Sequence, residues 1–129
     1  MLIFVVNIMK INRFEDIESW QRARELTKVV YSLSSKGELA KDWALRDQIR
    51  KASISIMSNI AEGFDSGFKA EFARFLSISR RSASEIQSQL YIALDQNYIL
   101  KEDFFKLYQE TEEIRKMITG FIKYLKTLK

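Results

Sequence analysis

Apolar positions recur along most of this chain at steps of three and four residues, the spacing that lines one face of an α-helix. Ile17, Trp20, Ala23 or Arg24, Leu26 or Thr27, Val30 and Leu33 form a first stripe and predict a helix over about 16–35. Asp16 is placed as its N-cap, with a carboxylate that can accept first-turn amides, and Gly37 marks the turn that follows. Ile49, Ala52, Ile56 and Ile60 predict a second helix over about 42–62, stopping at Gly63. Ser53, Ser55 and Ser58 leave little bulk between it and its neighbours. A loop holding Gly63 and Gly67 leads to a third helix over about 69–96, on Phe72, Phe75, Leu76, Ser79, Ala83, Ile86, Leu90, Ala93 and Leu94. Phe105, Leu107 or Tyr108, Ile114, Met117, Ile118, Phe121, Leu125 and Leu128 predict a fourth over about 102–128. Glu102 and Asp103 fall in its first turn and Lys126 and Lys129 in its last, as the helix dipole favours. Long helices with short connections pack as antiparallel neighbours, so the fold class is all-α, an up-down-up-down four-helix bundle.

Residues 1–13 read as an N-terminal arm and 14–129 as the bundle domain. The apolar run Met1–Met9 is too short for a membrane span, which needs about 20 apolar residues. It also lacks the basic start and small-residue cleavage site of a signal peptide. Either it is an extra strand or arm that packs on a partner, or translation begins at Met9; the second reading is preferred.

Composition narrows the chemistry. The chain has 129 residues, 47% of them hydrophobic, with no proline and four glycines. That suits a few uninterrupted helices around one real core. It has no cysteine and no histidine. A disulfide framework, thiolate chemistry, Ser-His or Cys-His catalysis and histidine-bearing metal sites are therefore excluded. No cofactor and no catalytic residue is expected. A cytoplasmic location fits the cysteine count, and no membrane partner is expected. The net charge of +4 permits a nucleic-acid partner without requiring one.

Five ordered pieces of sequence carry a family resemblance: Phe14-Glu15-Asp16-Ile17 through Trp20-Gln21-Arg22-Ala23, Gln48-Ile49-Arg50-Lys51-Ala52, Ser53-Ile54 through Asn59-Ile60-Ala61-Glu62-Gly63, Glu71-Phe72-Ala73-Arg74-Phe75-Leu76, and Ser82-Ala83-Ser84-Glu85. Over about 14–128 the chain resembles the small bundle proteins first noticed as products of intervening sequences in bacterial 23S ribosomal RNA genes. It departs from that pattern at Arg81, where the family usually has glycine, at Lys51, which replaces an arginine, and in lacking a Phe-Pro near the second helix. The resemblance implies a cytoplasmic, non-enzymatic homo-oligomer, a pentamer. It also extends to an accessory protein of diversity-generating retroelements, which implies RNA, DNA, a reverse transcriptase or another protein as partners.

The signature residues Arg50, Asn59, Glu62, Gly63, Ser82 and Glu85 allow two readings. Asn59 and Glu62 share a helix face and could touch RNA or a partner protein. The favoured reading is structural: Glu62 accepts from Arg50, Arg46 or Ser82, Asn59 satisfies nearby backbone, and Glu85 pairs with Arg50 or Lys51 across the bundle. The nucleic-acid candidates are Arg74, Arg80, Arg81, Arg115, Lys116, Lys123 and Lys126. Arg74 and Arg81 are aligned on the third helix, and Lys116, Lys123 and Lys126 on the fourth. Such stripes contact phosphates with little base readout, and no base-reading motif accompanies them. Trp20, Trp43 and the phenylalanines are expected in the core or an interface, and Tyr91, Tyr98 and Tyr108 at an interface. Gly120, inside the fourth helix, is expected at a close helix contact, a subunit contact or a slight bend. The reading that follows is a non-enzymatic oligomeric nucleic-acid-binding or accessory protein. The alternative is a protein scaffold.

Overall fold

Four long helices and one short one carry the chain: α1 (Glu18–Ser34), α2 (Gly37–Lys41), α3 (Trp43–Asp65), α4 (Lys69–Asp95) and α5 (Lys101–Thr127). The structure is a computed structural model that describes residues 4–6 and 9–128, with side chains from Ile11 onward. Ahead of α1, strands β1 (Phe4–Val6) and β2 (Met9–Ile11) pair antiparallel, with Phe4 opposite Ile11 and Val6 opposite Met9.

Contacts between helices set their directions. Thr27 of α1 donates to the Ser53 carbonyl and Ser34 accepts from Arg50, so α1 and α3 run opposite ways. Ser79 donates to the Ile56 carbonyl at 2.8 Å and Ser82 to the Ser55 hydroxyl at 2.8 Å, which sets α4 antiparallel to α3. Arg80 reaches Thr119 and Gln87 reaches Glu112, which sets α5 antiparallel to α4. The result is the expected up-down-up-down bundle. Ala23, Leu26, Val30, Ile56, Ile60, Phe72, Leu76, Ala83, Ile86, Ile114 and Ile118 are buried in one core.

Gly63 does not end its helix. α3 continues to Asp65, and a Cβ on Gly63 would lie 2.7 Å from the Phe75 Cβ and 2.9 Å from a Phe72 ring carbon. The glycine is there for close approach of α4, and the turn falls at Gly67, whose φ of +80° favours glycine. The α4–α5 turn uses Asn97 at φ +60°, with the Tyr98 amide bonded back to the Ala93 carbonyl. That is a Schellman-type stop.

Other local expectations are corrected. Asp16 does not cap α1. It ends a 3-10 turn (Phe14–Asp16), and its carboxylate accepts instead from the Asn12 and Arg13 amides. Asp42 caps α3, accepting from the Leu45 amide, and also takes the Tyr98 hydroxyl at 3.0 Å. Phe104, not Phe105, is buried, because one residue turns a helix face by about 100°. Trp43 is 71% exposed, since Leu39 of the unforeseen α2 fills the space beside Leu45 and Ala93. Gly120 meets no neighbouring helix of its own chain, so the close helix contact is the part of its expectation that falls.

Candidate nucleic-acid interface

α4 turns three faces to its surroundings. Ser79 and Ser82 meet α3, as above. Ala73, Ser77, Arg80, Ser84 and Gln87, at steps of three and four, meet α5. The rest face outward. Near the start of α4 and the end of α5 the seam opens into a groove of ≈ 350 Å³. Ala70, Ala73 and Ile122 form its apolar lining, and Ser77 and Thr119 bring hydroxyls. Arg74, Arg80, Lys123 and Lys126 also line it, and among the described residues no carboxylate does.

The four cations differ in freedom. The Arg80 guanidinium is half-buried and donates to the Thr119 hydroxyl at 3.3 Å, so its direction is set. Arg74 stands at the rim, its guanidinium 4.6 Å from the Phe75 ring centroid. Glu71 accepts from it through both oxygens, at 3.1 and 3.2 Å. That two-pronged bond holds the Glu71 carboxyl below the usual carboxylate range and raises Arg74. Lys123 and Lys126 are exposed and make no ion pair among the described residues.

The other basic candidates lie outside the groove, which ends where Arg80 meets Thr119. Beyond it, Arg115 donates to Ser84 and Glu112, and Gln87 donates to the same Glu112 oxygen at 3.0 Å. The Gln87 hydrogen bond, then those of Arg115 and its charge, hold the Glu112 carboxyl low. Lys116 lies 3.9 Å from Glu113. Arg81 points outward and is exposed, so α3 and α4 approach without the glycine that the family pattern has there. Sequence reasoning missed Ser77 and Thr119, since hydroxyls at helical spacing carry no signal of their own.

The signature residues divide. Asn59 turns its amide onto the Ser55 carbonyl at 2.8 Å and the Ser55 hydroxyl at 3.0 Å, and Ser82 donates to that hydroxyl as well. Arg50 bonds Ser34 at 2.7 Å and Ser35 at 3.0 Å and covers the Tyr31 ring. Glu62 and Glu85 are not the buried pair partners expected of them. Both are exposed, and neither carboxylate makes a hydrogen bond or ion pair among the described residues. The physical reason is that hydroxyls and the Asn59 amide already satisfy one another along the α3–α4 seam, leaving the carboxylates to water.

The match to the 23S rRNA-intervening sequence protein family runs over residues 15–120. The chain belongs to this family. Among solved structures it is similar to a protein of unknown function from the S23 ribosomal protein family of Bacteroides thetaiotaomicron VPI-5482. The TM-score is 0.75 at 23% identity, covering 81% of this chain and 95% of that one, a likeness of fold. A comparison with curated proteins returns no match. For this 23S rRNA-intervening sequence family protein, no described helix is long and apolar enough to cross a membrane. Among the described residues no group of acidic side chains could hold a metal ion.

Proposed function

We propose that this family member is a cytoplasmic, non-enzymatic, oligomeric nucleic-acid-binding or accessory protein that holds phosphates in the groove between α4 and α5. The carrying observation is the lining of that groove by four cations, three of which make no ion pair among the described residues. Repetition around a homo-oligomer, a pentamer by family resemblance, turns a modest patch into a multivalent surface. The test is fluorescence anisotropy of labelled structured RNA and duplex DNA against protein of known mass, titrated with salt. Two phosphates held per copy give a slope of about −2 per protomer in log affinity against log salt. Charge reversal at Arg74, Arg80, Lys123 and Lys126 abolishes binding and leaves the mass unchanged. An intact oligomer that binds neither ligand at low salt refutes the reading.

A second reading, a protein scaffold, is favoured by Trp43, Leu100 and Phe105, which are 71, 66 and 62% exposed and come from elements that meet at one end of the bundle. Large apolar groups gathered at a surface mark interaction sites.

A further inference from the structure

We propose that the α4–α5 groove is a subsite for a terminal phosphomonoester, so that the nucleic acid it favours is one with a phosphorylated end. The inference rests on the nucleic-acid reading above and names the group recognised. Three observations carry it.

The positive charge is concentrated rather than spread. From Arg74 to Arg80 is about 9 Å along the helix, at 1.5 Å per residue. Past Thr119 the next cation, Arg115, is already engaged by Glu112 and Ser84. Arg74 is itself paired with Glu71 and exposed Arg81 does not line the groove, so the unpaired charge inside it is that of Arg80, Lys123 and Lys126.

The donors suit an anion. Arg80 is directed by Thr119 and retains further N–H groups. Ser77 is half-buried in the same groove, and its hydroxyl makes no hydrogen bond among the described residues. Lys123 and Lys126 supply mobile charge.

Nothing in the groove suits a base. Its apolar lining is Ala70, Ala73 and Ile122, with no ring for stacking, and stacking is what lets a groove follow unpaired strands. What remains is the phosphate, and a monoester carries about −1.5 to −2 charges at pH 7 against −1 for an internal diester.

The experiment uses the full chain and one single-stranded RNA sequence prepared with a 5′-phosphate, a 3′-phosphate or hydroxyl ends, compared by anisotropy competition at fixed salt. We expect a phosphorylated end to bind about tenfold more tightly, from one or more added charge-assisted bonds. Ser77→Ala and Arg80→Lys should each weaken binding of the phosphorylated end more than binding of the hydroxyl end, shrinking the preference. Equal affinity for phosphorylated and hydroxyl ends overturns the subsite and leaves the nucleic-acid reading in place. A preference that survives in both variants also overturns it, by placing recognition elsewhere. No binding of any RNA overturns the subsite, and failure of duplex DNA to bind as well overturns both readings.

Discussion

Replacing Gly63 with alanine tests the close approach of α4 to α3. The new methyl would sit 2.7 Å from the Phe75 Cβ, 2.9 Å from a Phe72 ring carbon and 3.3 Å from the Phe72 carbonyl oxygen. Neither ring can yield cheaply. The Phe75 Cβ moves only with its backbone, and fully buried Phe72 packs edge-on against Phe64 and Phe121, with ring centroids 5.9 and 5.0 Å away. Helix α4 must therefore shift. Overpacking of this kind costs about 1–3 kcal/mol, and alanine's helix preference returns about 1 kcal/mol. Because α4 itself must move, the cost falls in the upper part of that range, about 2–3 kcal/mol, and the net expectation is a loss of about 1–2 kcal/mol, a fall in Tm of about 3–8 °C. Gly120→Ala is the matched control. Its added Cβ meets nothing within 4 Å, so the propensity gain of roughly 0.5–1 kcal/mol stands alone. Urea and thermal unfolding of both variants, at one protein concentration, should move in opposite directions. A Gly63→Ala protein as stable as the parent refutes the close-approach argument.

Glu62→Ala and Glu85→Ala, both at exposed carboxylates, should change stability by less than about 0.5 kcal/mol; a loss above about 2 kcal/mol in chemical denaturation would reveal a partner for the carboxylate. The Glu112 carboxyl is depressed by Gln87 and Arg115, so the stability it lends is complete above the ordinary glutamate value of about 4.3 and fades as pH falls through its lower folded value. Tm followed from pH 6 to 3 should therefore drop less steeply for Glu112→Gln than for the parent, and parallel curves would contradict this. Glu71 occupies Arg74 as a phosphate would, so Glu71→Gln should raise RNA affinity up to about fivefold in anisotropy, whereas weaker binding would show that Glu71 helps to hold the ligand.

The architecture was legible because the third stripe, Phe72 through Leu94, is long and its period unbroken, and every member of it is buried or half-buried. Errors arose where one residue serves two rules. Gly63 looks like a helix stop, yet what it provides is missing bulk, and only the facing rings of α4 reveal that. Phe104 and Phe105 are equally apolar, so periodicity near a helix start cannot tell them apart until the first turn is located. Trp43 is expected in the core or at an interface, and the structure excludes the core because of α2, which at five residues is too short to show a period. At the site, Arg74, Arg80, Lys123 and Lys126 were all named from charge. Their convergence was not visible, because it depends on how α5 lies against α4. Arg81, Arg115 and Lys116 have the same sequence appearance and fall outside the groove for that same reason.

The seam between α1 and α5 has a consequence for synthesis. Arg22 of α1 donates to Glu110 of α5 at 2.7 Å across a separation of 88 residues. The α3–α4 and α4–α5 hairpins close through short turns and can form as soon as both arms leave the ribosome. α1 emerges first but gains its second neighbour last. Until residues around 110 are made, the nascent chain carries the Ala23, Leu26 and Val30 stripe only partly covered. Of the bundle's long helices α1 is thus the longest exposed, and it is the segment on which a chaperone or a second nascent copy has most time to act.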